Sequence, residues 1–152
     1  MIKKWIIFAI QQIKLTKMKI YHNPRCSKSR QGLAMLQEAN VDLEIIEYLK
    51  NPLTQSELKS ILKKLDIPAI ALVRKNEAVW KEHYKNKTLS ENELIEAMVA
   101  NPKLIERPII VNGDTAVIGR PIEKISTIIW SLTIVMLMTK NTPKPLFFYN
   151  SE

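Results

Sequence analysis

The sequence predicts an α/β fold, because short strand-like segments alternate with segments whose apolar residues recur at helical spacing. Residues 18–21 have the composition of a strand, and residues 31–36 then carry apolar side chains at helical spacing. Near the other end, two strand-like runs flank Asn112-Gly113-Asp114, a strong hairpin signal because Asn-Gly supplies the positive φ angles of a tight turn. The 152 residues are enough for one ordinary domain with a buried core.

The first half of the predicted domain alternates between strands and helices. After the strand at 18–21, a helix begins close to Cys26, and residues 41–48 have the alternation and branched side chains of a second strand. Thr54-Gln55-Ser56-Glu57 is a capping-box pattern that opens a helix through Leu65. The sequence therefore starts in the order β-α-β-α.

The second half predicts helices followed by a hairpin. A short helix is expected at 79–84, and Ser90-Glu91-Asn92-Glu93 is a second capping box whose helix ends at Asn101-Pro102. The hairpin strands cover 108–111 and 115–118, and Pro121 suits the first turn of a final helix. This order is the outline of a thioredoxin-like fold with a helical insertion between the second strand and the C-terminal β-hairpin.

Both ends of the chain differ from the middle, so the predicted thioredoxin-like domain covers residues 18–125. Residues 1–17 are predicted to be an atypical N-terminal extension, because their apolar run is only six residues long and no small-residue cleavage site follows it. Residues 126–152 are predicted to be an apolar and then irregular tail. The apolar stretch 125–138 has 14 residues, whereas a membrane span needs about 20, so a docked helix is favoured over membrane association.

The positive charge of the chain does not indicate a nucleic-acid-binding protein. The formal net charge is +8, but residues 1–17 hold four lysines, and residues 126–152 hold two lysines and one glutamate. These ends account for five of the eight charges, which leaves +3 for residues 18–125. The remaining basic residues are interspersed with acidic ones, as on a solvated surface, so no nucleic-acid partner is expected.

Cys26 is the only cysteine, and it stands in a stretch rich in cations, HNPRCSKSRQGL at 22–33. A thiol is nucleophilic only as the thiolate, and nearby cations or a helix N-terminus lower its pKa. A core cysteine would instead have apolar neighbours, so the reactive interpretation is favoured over that of a small buried hydrophobe. One cysteine excludes an intramolecular disulfide, a CxxC pair and a cysteine-rich zinc site, and a reducing cytoplasm is the expected location.

Three further arginines stand at predicted element boundaries. They are Arg74 after an apolar segment, Arg107 before Pro108 and Arg120 before Pro121. Guanidinium groups bind tetrahedral oxyanions through paired hydrogen bonds, so several of them converging on one thiolate would form an anion site. The alternative is that each pairs with a nearby acid on the surface, such as Glu106 or Glu123, and sequence spacing alone does not decide between the two.

Four motifs together resemble the ArsC-type, glutaredoxin-dependent arsenate reductase family. They are YHNPRCSKSR at 21–30, Leu72-Val73-Arg74, Glu106-Arg107-Pro108 and Gly119-Arg120-Pro121. Their order is specific, and the resemblance covers roughly residues 18–125. It implies a thioredoxin-like domain.

The resemblance also implies roles for the candidate residues. Cys26 corresponds to the catalytic nucleophile, and Arg74, Arg107 and Arg120 correspond to residues that bind and stabilise the oxyanion. The Arg107-Pro108 peptide bond is cis in the family, which places that arginine beside the thiol.

Two other residues match positions that help to hold the cysteine as a thiolate. These are His22 and Ser29. For His22, a hydrogen-bonded structural histidine is the alternative interpretation.

By the same resemblance, the protein is expected to reduce arsenate to arsenite, an oxidoreductase activity of arsenic detoxification. Glutathione is the implied co-substrate and glutaredoxin the implied protein partner, with no bound cofactor and no metal. Because the chain has no second cysteine, the electrons must come from outside it.

Two alternatives remain at this point. The Spx regulators resemble the same fold but bind RNA polymerase and sense redox state, usually through a CxxC switch. Here Ser29 stands at the second position of that switch, which favours the enzyme. The other alternative is an ArsC-like protein with a different substrate.

Overall fold

A four-stranded mixed sheet organises the computed structural model, which describes residues 17–129. The strands are β1 (Met18–Tyr21), β2 (Leu43–Ile46), β3 (Ile109–Asn112) and β4 (Thr115–Ile118). Their spatial order is β2-β1-β3-β4, with β1 and β2 parallel and the other two pairs antiparallel. The predicted α/β class, with its helical insertion between the second strand and the hairpin, is confirmed.

The helices connect the strands in the predicted order. They are α1 (Ser27–Glu38), α2 (Gln55–Leu65), α3 (Ala69–Leu72), α4 (Ala78–His83) and α5 (Glu91–Ala100), followed by a 3-10 turn (Pro102–Leu104) and a helix, α6, described over 124–129. Both predicted capping boxes are present: the side chains of Thr54 and Ser90 each accept a hydrogen bond from the N3 amide, and their backbone amides donate to the carboxylates of Glu57 and Glu93.

The strand register brings four chain segments to one edge of the sheet. Tyr21, the last residue of β1, pairs with Ile46 at the end of β2 and with Ile109 at the start of β3. Ile109 in turn pairs with Ile118 at the end of β4. The segments that follow β1, β2 and β4 and the segment that precedes β3 therefore meet at this edge.

Two apolar clusters cover the two faces of the sheet. Successive side chains of a strand point to opposite faces, so Ile110 packs in one cluster and Ile109 in the other. The first cluster contains Ile125 and Ile128 of α6, and both are buried. The second receives the helices of the insertion, with buried residues that include Leu58, Leu72, Trp80, Leu94 and Met98.

Gly32 allows α1 to pack closely on the segment that begins β3. A Cβ atom built at this position would lie 2.9 Å from both Pro108 Cγ and Ile125 Cδ1. That separation is too short for carbon atoms in contact, so a larger residue would push α1 away from Pro108. The packing of this glycine thus helps to fix α1 against the loop that carries Arg107.

Several predicted boundaries differ in the structure. The second strand is shorter than 41–48, and Asn112 belongs to β3, so the hairpin turn consists of Gly113 and Asp114, with a positive φ of 57° at Gly113. The last helix begins at 124, three residues after Pro121. The predictions for 1–16 and 130–152 lie outside the described residues. None of the helices within 17–129 has the length and apolar character needed to cross a membrane.

Candidate active site

Cys26 lies where the segment after β1 turns into α1. It is the N-cap residue of that helix and is partly exposed. Its amide donates to the Asn23 carbonyl over 3.0 Å, and its own carbonyl accepts from the Arg30 amide over 3.0 Å. The predicted position at the strand-to-helix turn is confirmed, and it places the thiol beside the free amides of the first helical turn.

The surroundings of Cys26 lower the pKa of its thiol. Partial burial raises this pKa, but the backbone amides of Ser29 and Lys28, together with the guanidinium of Arg107, lower it more. The net direction is downward, which favours the thiolate. Two sources predicted from the sequence, a helix N-terminus and cations, therefore act together.

His22 and Ser29 form a buried hydrogen-bonded pair between the segment that leads to Cys26 and the first turn of α1. Ser29 Oγ lies 2.8 Å from His22 Nδ1 and accepts from the Asn23 amide over 3.0 Å. Burial lowers the pKa of His22, partly opposed by the charge of Glu47. The Ser29 hydroxyl thus joins α1 to the preceding segment, while its backbone amide is the group that acts on Cys26.

Arg107 and Arg120 approach the thiol from the segments on either side of the hairpin. Arg120 Nη2 lies 3.8 Å from Cys26 Sγ, and Arg120 Nε donates to the Arg107 carbonyl over 3.0 Å. The Arg107–Pro108 peptide bond is cis, as the resemblance implied, and so is the Arg120–Pro121 bond. Arg107 is 81 residues and Arg120 is 94 residues from Cys26 in sequence, yet the sheet register brings both to it.

Arg74 joins the same cluster from the helical insertion. Its segment is held by an isolated bridge between Val73 and Ile105 and by the Arg74 amide, which donates to the Leu104 carbonyl over 2.7 Å. This bridge places Arg74 alongside Glu106 and Arg107. All three arginines predicted from their boundary positions therefore converge at the edge that carries Cys26.

Two carboxylates link the three arginines. Glu77 pairs with Arg74 and lies 3.5 Å from Arg107 Nη2. Glu106 Oε2 lies 3.7 Å from Arg74 Nε and 3.1 Å from Arg120 Nε. Three guanidinium groups against two carboxylates leave one net positive charge, which a thiolate at Cys26 would balance.

The Glu106 contacts are ion pairs rather than aligned hydrogen bonds. Its buried Oε2 has no hydrogen-bond partner within the described chain, because the Nε–H of Arg120 is directed to the Arg107 carbonyl. The Glu106 carboxylate therefore holds Arg74 and Arg120 by charge rather than by directed hydrogen bonds.

The charged side chains next to Cys26 in the sequence are not the charged side chains that lie at its thiol. Arg25, Lys28 and Arg30 are exposed, and the Arg30 side chain donates to the Pro24 carbonyl. Lys28 acts on the thiol through its backbone amide instead. The charged side chains at the thiol come from distant segments.

Three residues of the site were missed by the sequence analysis or were given a different role there. Glu77 stands three residues after Arg74, a spacing at which ion pairs are common. This spacing could have predicted that Glu77 pairs with Arg74. Glu106 was considered only as a surface partner for an arginine. Tyr48 was also missed, although it lies only two residues beyond β2 at the functional edge of the sheet.

The arrangement is suited to a small oxyanion. An open cavity of about 320 Å³ reaches Arg120, whose guanidinium contacts the thiol, and it is lined by Lys28, Gly119, Arg120, Pro121, Ile122 and Glu123. Guanidinium groups and helix-terminal amides both bind tetrahedral anions. Between residues 17 and 129, no group of three His, Cys, Asp or Glu side chains is placed to hold a metal ion.

The sequence is similar to those of a known protein family. The chain matches the ArsC family over residues 21–128. It is 47% identical over 115 residues to the uncharacterized protein YfgD of Escherichia coli, covering 74% of this chain and 97% of that protein. It is 43% identical over 112 residues to an arsenate reductase of Haemophilus influenzae, covering 72% of this chain and 97% of that protein.

A solved structure extends the comparison to the fold. The arsenate reductase from Vibrio cholerae superposes with a TM-score of 0.70 at 38% identity, covering 74% of this chain and 97% of that one. The family match over residues 21–128 includes the segments that carry Cys26 and the three arginines. The protein described here is therefore a member of the ArsC family.

Proposed function

We propose that this protein reduces arsenate to arsenite through a nucleophilic Cys26. The observation that carries the proposal is the contact between Cys26 Sγ and Arg120 Nη2 at 3.8 Å, in a setting that lowers the pKa of the thiol. The names of the relatives, which include arsenate reductases of Haemophilus influenzae and Vibrio cholerae, support arsenate as the oxyanion.

The first step is the attack of the Cys26 thiolate on arsenic. A sulfur–arsenic bond forms, one arsenate oxygen leaves as water or hydroxide, and arsenic remains pentavalent. Arg74, Arg107 and Arg120 hold the remaining oxygens and neutralise their charge during the attack. His22 and Ser29 act as positioning residues, because their hydrogen bonds fix the segment from which the Ser29 amide reaches the thiol.

The second step needs two electrons from a donor outside the chain, since Cys26 has no partner cysteine. A glutathione thiolate attacks the Cys26 sulfur, and the sulfur–arsenic bond breaks with its electron pair on arsenic, which leaves as arsenite. A mixed disulfide remains on Cys26, and glutaredoxin reduces it with further glutathione. This cycle requires a reduced glutathione pool, so a cytoplasmic location is part of the proposal.

A coupled assay with separated donors tests the proposal. Arsenate is added to the full-length protein with glutathione, glutaredoxin, glutathione reductase and NADPH, and both NADPH consumption and arsenite are measured. We expect turnover with the complete mixture and a large loss when either glutathione or glutaredoxin is omitted.

The two parts of the proposal fail in different ways. Arsenite formation that continues without glutaredoxin would contradict the donor assignment while leaving the reductase activity intact. A folded protein that forms no arsenite with the complete mixture would contradict the activity itself.

A further inference from the structure

Two buried hydrogen-bond donors beside the thiol have no partner in the part of the chain that the structure describes, in addition to the acceptor Glu106 Oε2. One is the phenolic hydroxyl of Tyr48, whose side chain is fully buried, and the other is the Nε–H of Arg107. Burying a polar group without a partner costs free energy, and native proteins hold few such groups. Two unpartnered donors at one site are suited to binding a common acceptor.

The position of Tyr48 follows from the sheet. It lies two residues beyond β2, and its amide donates to the Ile46 carbonyl over 3.1 Å. The same carbonyl accepts from the His22 amide over 2.8 Å, which ties this segment to the one that leads to Cys26. Because β1 and β2 are parallel, Tyr48 and Cys26 lie at the same edge.

The charges that act on the Tyr48 hydroxyl locate it within the site. The pKa of Tyr48 is raised to about 12, mainly by burial and slightly by the charge of Cys26, against the lowering effect of the guanidinium groups of Arg107 and Arg74. Arg107 is thus close to the hydroxyl, although no well-aligned hydrogen bond joins them. At neutral pH the hydroxyl keeps its proton and is available as a donor.

We propose that Tyr48 is a further oxyanion-binding residue, whose hydroxyl and the Arg107 Nε–H donate hydrogen bonds to arsenate held at Cys26. This inference rests on the proposed function and adds a binding residue to it. A tyrosine is suited to this position because it donates without adding charge. The balance between the three arginines and the carboxylates of Glu77 and Glu106 is therefore unchanged.

The variant Tyr48→Phe removes the hydroxyl and keeps the ring. Protection of Cys26 from alkylation by iodoacetamide, titrated with inorganic arsenate and without glutathione, reports occupancy of the site. We expect the half-protecting arsenate concentration to rise about tenfold or more, the loss typical of one hydrogen bond to a charged group. In turnover, KM for arsenate should rise by a similar factor with kcat little changed.

The unfolding midpoint of Tyr48→Phe distinguishes an oxyanion-binding role of the hydroxyl from a role in stabilising the fold. Because the hydroxyl has no partner within residues 17–129, its removal should leave the unfolding midpoint unchanged or raise it. The matched control is Tyr84→Phe, which removes a hydroxyl that accepts from Asn101 Nδ2 over 3.4 Å away from the arginine cluster. The control should leave arsenate protection unchanged.

Each outcome decides the inference. Equal protection in wild type and Tyr48→Phe would overturn it, even if arsenate turnover is normal. If arsenate neither protects the wild-type thiol nor is reduced, the proposed function is wrong. The same protection of Cys26 is then titrated with sulfate in wild type and in Tyr48→Phe to test the role of the hydroxyl. A weaker sulfate effect in Tyr48→Phe would then support an oxyanion-binding hydroxyl, whereas equal protection or none would overturn it.

Discussion

Glu106 lies between Arg74 and Arg120, with its Oε2 atom 3.7 Å from one Nε and 3.1 Å from the other. Its side chain is only 24% exposed, so water screens these charges weakly. The carboxylate therefore does two things at once. It holds two guanidinium groups in place, and it reduces the positive potential at the thiol.

Glu106→Gln separates these two effects. The glutamine keeps the shape but loses the charge, so the free energy of unfolding should fall by about 1–3 kcal/mol because two partly buried arginines lose a partner. The loss of a nearby negative charge should also lower the pKa of Cys26 further. Urea unfolding and the pH dependence of thiol alkylation measure the two effects.

The control for Glu106→Gln is Glu96→Gln, which removes an exposed carboxylate from α5. This variant should change neither the unfolding curve nor the alkylation profile. A Glu106→Gln protein as stable as wild type, with an unchanged alkylation profile, would show that the carboxylate does not hold the cluster.

The reactivity of Cys26 should depend on pH in a way that follows from its environment. Only the thiolate reacts with iodoacetamide, so the rate rises as pH passes the pKa of the thiol. Because the folded protein lowers this pKa, the native thiol should reach half its maximal rate at a lower pH than the same thiol in urea-unfolded protein. A native midpoint at or above the unfolded one would contradict the assignment.

Arg107→Met tests the charge beside the thiol. This change removes a guanidinium that lowers the Cys26 pKa, so the alkylation midpoint should move to higher pH. Arsenate kcat/KM should fall about 100-fold or more, as when one oxyanion donor is removed. The exposed Arg25 supplies the matched variant, Arg25→Met, and an equal effect in both would mean that overall charge, not position, matters.

Ser29→Ala tests the hydrogen bonds by which the Ser29 hydroxyl connects α1 to the preceding segment. It leaves the Asn23 amide and the His22 imidazole buried without their Ser29 partner, so the free energy of unfolding should fall by about 2 kcal/mol. Ser27→Ala, in the same turn but exposed, should be close to neutral. Equal urea midpoints for the two variants would indicate that the Ser29 hydroxyl contributes nothing.

The elements of the fold were predictable where local chemistry decides them. The capping boxes at Thr54 and Ser90 form as predicted because each satisfies its own backbone donors within four residues. The hairpin likewise follows from its turn, with Gly113 supplying the positive φ. The start of the final helix was misplaced because Pro121 is compatible with a first turn as well as with the turn before a helix.

The site was predictable in its members but not in its geometry. Boundary positions and the resemblance selected Arg74, Arg107 and Arg120. The convergence of Arg107 and Arg120 on Cys26 depends on the pairing of β1 with β3 and of β3 with β4, and that of Arg74 depends on the bridge between Val73 and Ile105. Local sequence favoured Arg25 and Lys28 as the cations at the thiol, but these side chains are exposed. Whether a charge reaches a site depends on side-chain direction, which spacing along the chain does not specify.

The central claim is that one thiol, held among arginines from distant segments, attacks arsenate. The most direct test compares arsenite formation by wild type and Cys26→Ser in the complete glutathione and glutaredoxin system, with urea unfolding of both proteins. We predict the same unfolding curve for both and a loss of turnover of about 10³-fold or more in Cys26→Ser, because the nucleophile is gone. A folded Cys26→Ser protein that still forms arsenite at the wild-type rate would contradict the account.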